Sequence, residues 1–188
     1  RAKRKTPVLS SKLTQVVFNP TWTVPPTILR EDVIPAILRS RSYLTQSNIK
    51  VYDSNGRIVS PYDWQLGKAK TYRYVQSPGT FNSLGMVKII FPNRFSVYLH
   101  DTNHRDYFDK IDRSLSSGCV RVDNPLELTE YILNDEINWN LEKITQTLQN
   151  EKTKFVKIKK EIAFHLLYWT AWSENNKLIF RDDIYNLD

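Results

Sequence analysis

The hydrophobic pattern changes period several times along the chain. Leu13 to Phe18 reads as a strand, and Asn19-Pro20 ends it. The stretch from Thr21 to Pro26 must be extended, because residues before proline avoid the helical region. From Glu31 to Arg39 the apolar residues Val33, Ile34, Ile37 and Leu38 fall at helical spacing, with acids at the start and Arg39 at the end. Asn48 to Asp53 and Arg57 to Val59 flank Asn55-Gly56, which predicts a hairpin. Lys70 to Gln76 and Val87 to Phe91 read as further strands, with a Pro78-Gly79 and Gly85 loop between them.

Phe95 to His100 alternates cleanly. Phe95, Val97 and Leu99 take one face; Ser96, Tyr98 and His100 take the other. A loop with Gly118-Cys119 follows, then two predicted helices, Pro125 to Leu133 and Leu141 to Leu148. Phe155 to Ile158, His165 to Trp172 and Leu178 to Arg181 close the chain as strands. There is no internal repeat and no low-complexity tract. The pattern predicts a mixed α/β fold, mainly β, with two or three helices.

Composition narrows this little. The 188 residues are 40% hydrophobic and 25% charged, enough for one domain with a real core and a modest insertion. No apolar run approaches the roughly 18 to 20 residues of a membrane span. The opening Arg1-Ala2-Lys3-Arg4-Lys5 has neither a starting Met nor a signal peptide, and it reads as the interior of a longer protein. The net charge of +7 raises nucleic acid as a partner, but the basic residues are scattered outside the first five and Lys152 to Lys160. No zinc-finger, RNP-type or helix-turn-helix signature supports that reading, so no nucleic-acid partner is expected. One cysteine excludes an internal disulfide and leaves the compartment open.

Three histidines and one cysteine bear the candidate chemistry. His100-Asp-Thr-Asn-His104 superficially matches the zinc motif H-E-x-x-H, but that motif needs a helix and His100 ends an alternating strand. One cysteine also removes zinc-ribbon spacing, so neither a metal nor any other cofactor is expected. His165 sits in an aromatic segment and reads as a core or edge residue. On spacing alone, a lone cysteine is more often a small buried hydrophobe than a nucleophile. The surroundings of Cys119 change that. Gly118 permits a tight turn in which adjacent N–H groups converge beside the sulfur, as an oxyanion hole requires. Arg121 can hold a thiolate or a substrate carboxylate. A free thiol is mostly protonated at neutral pH, and His100, at a strand tip, is the base best placed to take its proton.

Tyr98-Leu-His100-Asp-Thr102-Asn103, then Arg113-Ser-Leu-Ser116-Ser117-Gly118-Cys119-Val120-Arg121, resembles the signature of YkuD-type L,D-transpeptidases. The family pattern is H-x-T-N after a strand and then S-x-G-C-x-R, and every fixed position is present. The flanks are similar to the large periplasmic YcbB-like branch: Asn19-Pro20-x-Trp22-x-Val24-Pro25-Pro26, Ser77-Pro78-Gly79-x-x-Asn82-x-Leu84-Gly85 and Arg181-x-Asp183-Ile184-Tyr185. The resemblance covers nearly the whole chain. It implies a YkuD-like β-sandwich over 1–27 and 76–188, with an inserted capping subdomain over 28–75. The chain starts after the point where the family's first strand hairpin ends, so N-terminal edge strands are expected to be missing.

The resemblance further implies a peptidoglycan transpeptidase in the periplasm of a Gram-negative bacterium, its parent membrane-anchored outside this piece. Cys119 would attack the carbonyl between the third-position diamino acid and the terminal D-alanine of a tetrapeptide donor. The side-chain amine of an acceptor stem would resolve the thioester into a 3→3 cross-link. His100 would be the base, the Asp101 backbone carbonyl would orient it, and the N–H groups of Ser117, Gly118 and Cys119 would bind the oxyanion. Tyr98, Trp22, Arg121 and Asn103 are the expected substrate-binding residues; carbapenem-type β-lactams are the expected covalent inhibitors. Tyr98 and Trp22 are equally readable as packing aromatics, and Arg121 as a partner of Asp123 or Asp112. The same acyl-enzyme would also serve an L,D-carboxypeptidase or wall-protein attachment. A non-catalytic wall-binding module is the alternative of a different class, disfavoured by the intact His–Cys pair.

Overall fold

Residues 4–187 are described by the computed structural model, so Arg1, Ala2 and Lys3 of the basic opening lie outside the described residues. The strands are β1 (Leu9–Phe18), β2 (Trp22–Thr23), β3 (Ile49–Tyr52), β4 (Ile58–Val59), β5 (Arg73–Gln76) and β6 (Val87–Ile90). They continue with β7 (Leu99–His100), β8 (Val120–Arg121), β9 (Lys154–Leu166), β10 (Ala171–Glu174) and β11 (Lys177–Phe180). The α-helices are α1 (Pro26–Ile28), α2 (Ile34–Arg39), α3 (Ser42–Gln46), α4 (Pro125–Leu133), α5 (Glu136–Trp139) and α6 (Leu141–Gln149). The fold is mixed α/β with sheets predominating, the class that the hydrophobic pattern predicts.

The main sheet runs β8-β7-β6-β1-β9. Only its β7–β8 edge is parallel. Alternation along β1 and β6 turns Val16, Phe18, Val87 and Ile89 to one face. There they meet Ile132 and Leu133 of α4 and Ile144 and Leu148 of α6. Each such fully buried side chain contributes roughly 1.5–3 kcal/mol. The opposite face of β6, β7 and β8 is left for the site.

A second sheet, β2-β5-β3-β4, has its own core. Val24, Val33, Ile37, Leu44, Trp64 and Tyr74 form it, none of them shared with the first core. The buried Trp64 indole N–H donates to the Tyr74 hydroxyl at 2.7 Å, and that hydroxyl donates to the Ala69 carbonyl at 3.1 Å. Both polar tips are thereby satisfied inside an apolar cluster. No helix among the described residues is long and apolar enough to cross a membrane.

Four local differences from the sequence pattern have physical causes. The helix expected from Glu31 begins earlier, at Pro26, and passes through a π turn, Leu29–Val33, where Ile34 N–H donates to the Leu29 carbonyl. The register widens just before Pro35, which has no N–H to donate. The strand expected from Phe95 is confined to Leu99–His100, because Ser96 is left-handed (φ +56°) and Asn93 ties the loop. The Asn93 side-chain oxygen accepts from Phe95 and Val97 N–H, while its amide donates to the Phe91 and Val97 carbonyls. Lys154–Leu166 is one strand where two were expected, and His165 falls at its end. The helical segments are also more numerous than two or three, since α3 and α5 are single turns too short for a periodicity to register.

Candidate active site

Two short parallel strands bring the catalytic candidates together. Register pairs His100 with Arg121 and Leu99 with Val120. Val120 N–H donates to the Tyr98 carbonyl at 3.1 Å and Val122 N–H to the His100 carbonyl at 2.9 Å. Cys119, one residue before β8, is thereby held beside the Tyr98–His100 segment. The turn before it needs glycine. Gly118 has φ +110°, and a Cβ there would lie 3.3 Å from the Lys5 carbonyl oxygen.

His100 is 6% exposed, and its Nδ1 bonds to the backbone carbonyl of Asp101. A carbonyl only accepts, so Nδ1 carries the proton and Nε2 is the basic nitrogen of the neutral ring. Burial pushes the imidazole pKa down to about 4. The Asp101 carbonyl opposes that shift, while the charges of Arg121 and Lys88 add to it. At neutral pH the ring is a free base.

Asp101 is itself locked. Its carboxylate accepts from Met86 N–H at 2.8 Å, from Thr102 N–H at 2.7 Å and from the Arg105 guanidinium. Arg105 also donates to the Asp123 backbone carbonyl. Gly85 (φ +61°) lies so close that a Cβ there would fall 2.3 Å from Asp101 Oδ2.

Tyr98 lies beside Cys119 and lines the same cavity as Trp22, and its polar groups act to lower the thiol pKa. Its ring stands edge-on to His100, with centroids 5.7 Å apart. Burial raises the Cys119 thiol pKa, against the pull of Tyr98 and of the Lys88 and Arg121 charges. At neutral pH both groups are therefore uncharged, a thiol and an imidazole.

His100, Cys119, Trp22, Tyr98, Asn103 and Arg121 all open onto one cavity of about 670 Å³, which Ser117 also lines. Asp101 and Gly118 are buried outside that lining. The Gly118 N–H, expected to face an oxyanion, here donates to Ser116 Oγ at 3.2 Å. Arg121 forms no ion pair with Asp123 or Asp112. Its guanidinium lies 5.1 Å from the Tyr107 ring centroid, and its buried Nε has no hydrogen-bond partner. His104 stacks on Tyr107, and His165 bonds Ser10 at the far end of β9. No group of three or more His, Cys, Asp or Glu among the described residues is arranged to hold a metal. A larger hollow, about 760 Å³, lies on the other side of Asp101 and contains neither Cys119 nor His100.

Three residues around the site carry no signal in the sequence pattern: Arg4, Lys88 and Arg105. Arg4 binds Glu31, Asp32 at 2.8 Å and Ser117 Oγ at 2.8 Å. It reaches partners 27 to 113 residues away, which no local spacing announces.

With this geometry in view, the similarities to known proteins fall into place. A profile of the YkuD family, described as an L,D-transpeptidase catalytic domain, matches residues 1–158. A protein of Haemophilus influenzae named "Putative L,D-transpeptidase" is 36% identical over 188 residues, covering 98% of this chain. The chain spans 38% of that relative's length. The matched segment holds β1 to β8, the loop that carries Cys119 and the helices that back the main sheet, and the chain belongs to the YkuD family of L,D-transpeptidase catalytic domains.

Proposed function

We propose that this domain forms 3→3 cross-links between peptidoglycan stem peptides through a thioester on Cys119. The reading rests on one observation above all: the thiol and a neutral, buried imidazole open onto the same cavity within the family-matched segment. His100 Nε2 takes the thiol proton as Sγ attacks the carbonyl between the diamino acid and the terminal D-alanine. The C–N bond breaks, the C–S bond forms, and the proton passes to the leaving D-alanine amine. The side-chain amine of the acceptor then attacks the thioester, an amide forms and the thiol is restored.

The backbone N–H groups of Ser117, Gly118 and Cys119 receive the oxyanion, with Gly118 N–H exchanging the Ser116 hydroxyl for substrate. Tyr98, Trp22, Asn103 and Arg121 line the cleft for the donor stem. The 28–75 segment, most of which surrounds the second core, acts as a cap through Ile28 and Asp32 at the cavity. The working compartment is the periplasm, with membrane anchoring supplied by the parent outside this chain. Stoichiometric mass addition after incubation with a carbapenem, absent in Cys119→Ala, is the expected result. Folded wild-type protein that gains no mass refutes the acyl-enzyme.

A further inference from the structure

Lys88 is half-buried on β6, and register places it in a row with the reacting pair. The Cα partners run Val17↔Lys88, Lys88↔His100 and His100↔Arg121 across β1, β6, β7 and β8. Residues in register across neighbouring strands project from the same face. The imidazole is therefore bracketed by an ammonium on one side and a guanidinium on the other. The Lys88 Nζ also lies 3.9 Å from the centroid of the Tyr98 ring, which shares the cavity of Cys119 and His100. Among the described residues no carboxylate forms an ion pair with Lys88.

From this row we infer that Lys88 is a positioning residue for the reaction. Its charge favours the Cys119 thiolate over the thiol and the neutral over the protonated His100, and its contact with Tyr98 fixes the ring that lines the cavity beside them. The inference takes from the proposed function only that Cys119 and His100 are the reacting pair.

The other groups around this pair do not replace Lys88. Arg121, on β8, supplies the second positive charge, and its guanidinium faces Tyr107. From the N-terminal segment Arg4 is engaged by Glu31 and Asp32, and Lys5 reaches the Tyr185 carbonyl. His104, on the cavity rim, stacks on Tyr107 and lies 3.9 Å from Asp106. On β1 the partner is apolar Val17. Burial lowers the Lys88 pKa while the cysteine raises it, so the two groups sense each other's charge.

The test is alkylation of Cys119 by iodoacetamide across pH, which needs no peptidoglycan and so separates this inference from the proposed reaction. Lys88→Met is expected to move the inflection of the rate profile upward and to slow alkylation at pH 7 by roughly 10-fold, the ratio of about one pKa unit. The two profiles should converge at high pH, where both thiols are ionised. Lys88→Arg, which keeps the charge, should stay close to wild type. A Lys88→Met profile that overlays wild type overturns the inference, and so does an equal shift in Lys88→Arg.

If the Lys88 variants do not fold, the coupling is read from the opposite side. The Lys88 side-chain titration, followed by NMR in wild type and in Cys119→Ala, should move to lower pH when the thiolate is removed. Identical titrations overturn it.

Discussion

Burial decides what His100 is at neutral pH. An imidazole lowered to about 4 stays unprotonated through the range in which an ordinary histidine charges. Acylation by a carbapenem should therefore keep its rate as pH falls past 6.5 and decline only toward 4 to 5, a limb that stopped-flow or mass kinetics would resolve. An acid inflection at 6.5 or above contradicts this. Because the folded-state pKa lies below the unfolded value, the folded form binds fewer protons, and stability is lost as pH drops between the two. From pH 7 to pH 4 this one group removes on the order of 3 kcal/mol, a slope that should be absent in His100→Ala melts. The same variant should slow acylation by roughly 10²–10⁴-fold while remaining folded.

At the scale of elements, the loop from Asp101 to Arg105 is a clamp whose tightest point is a missing side chain. Gly85→Ala must push its methyl against Asp101 and hold φ +61° at once. The expected loss is about 2–4 kcal/mol by chemical denaturation, with slower acylation as the Asp101 carbonyl shifts off His100. Periodicity registered the elements that carry a clear stripe. Pro125–Leu133 and Leu141–Gln149 pack one apolar face on the sheet, and Asn55-Gly56 closes its hairpin with Gly56 at φ +77°. It divided β9 because the strand is an edge whose Lys159-Lys160-Glu161 stretch is exposed and interrupts the apolar rhythm. At the site, Cys119 and His100 are legible because few residue types can act as nucleophile and base, and this chain holds few of them. Lys88 is not, because its meaning lies in a strand register that links residues 88 and 100 through a loop, with no period connecting them.

At the scale of the molecule, Arg4 ties together parts that sequence keeps far apart. Its side chain is 9% exposed and meets both the middle of the π turn and the loop that carries Cys119. Arg4→Ala should raise hydrogen exchange in the segments around residues 31–32 and 115–118 by roughly 5- to 10-fold, while the β1–β9 ladder exchanges as before. Unchanged exchange at both segments would mean that each is held by its own neighbours. The larger hollow beyond Asp101 shares Arg105 with the clamp, so loosening there is also expected to reach His100.

The pairing of β1 with β9 joins Leu9 to Leu166, residues far apart in sequence. On a ribosome, β1 emerges well before its outer partner. Until then the first strand has one open edge, and Cys119 is already present on an incomplete sheet. Closing so long a loop is slow as well as late. The thiol should thus become protected only when β9 docks: in refolding, Cys119 alkylation should fall in step with protection of the β1–β9 amides, and a chain ended before Lys154 should aggregate through its bare β1 edge.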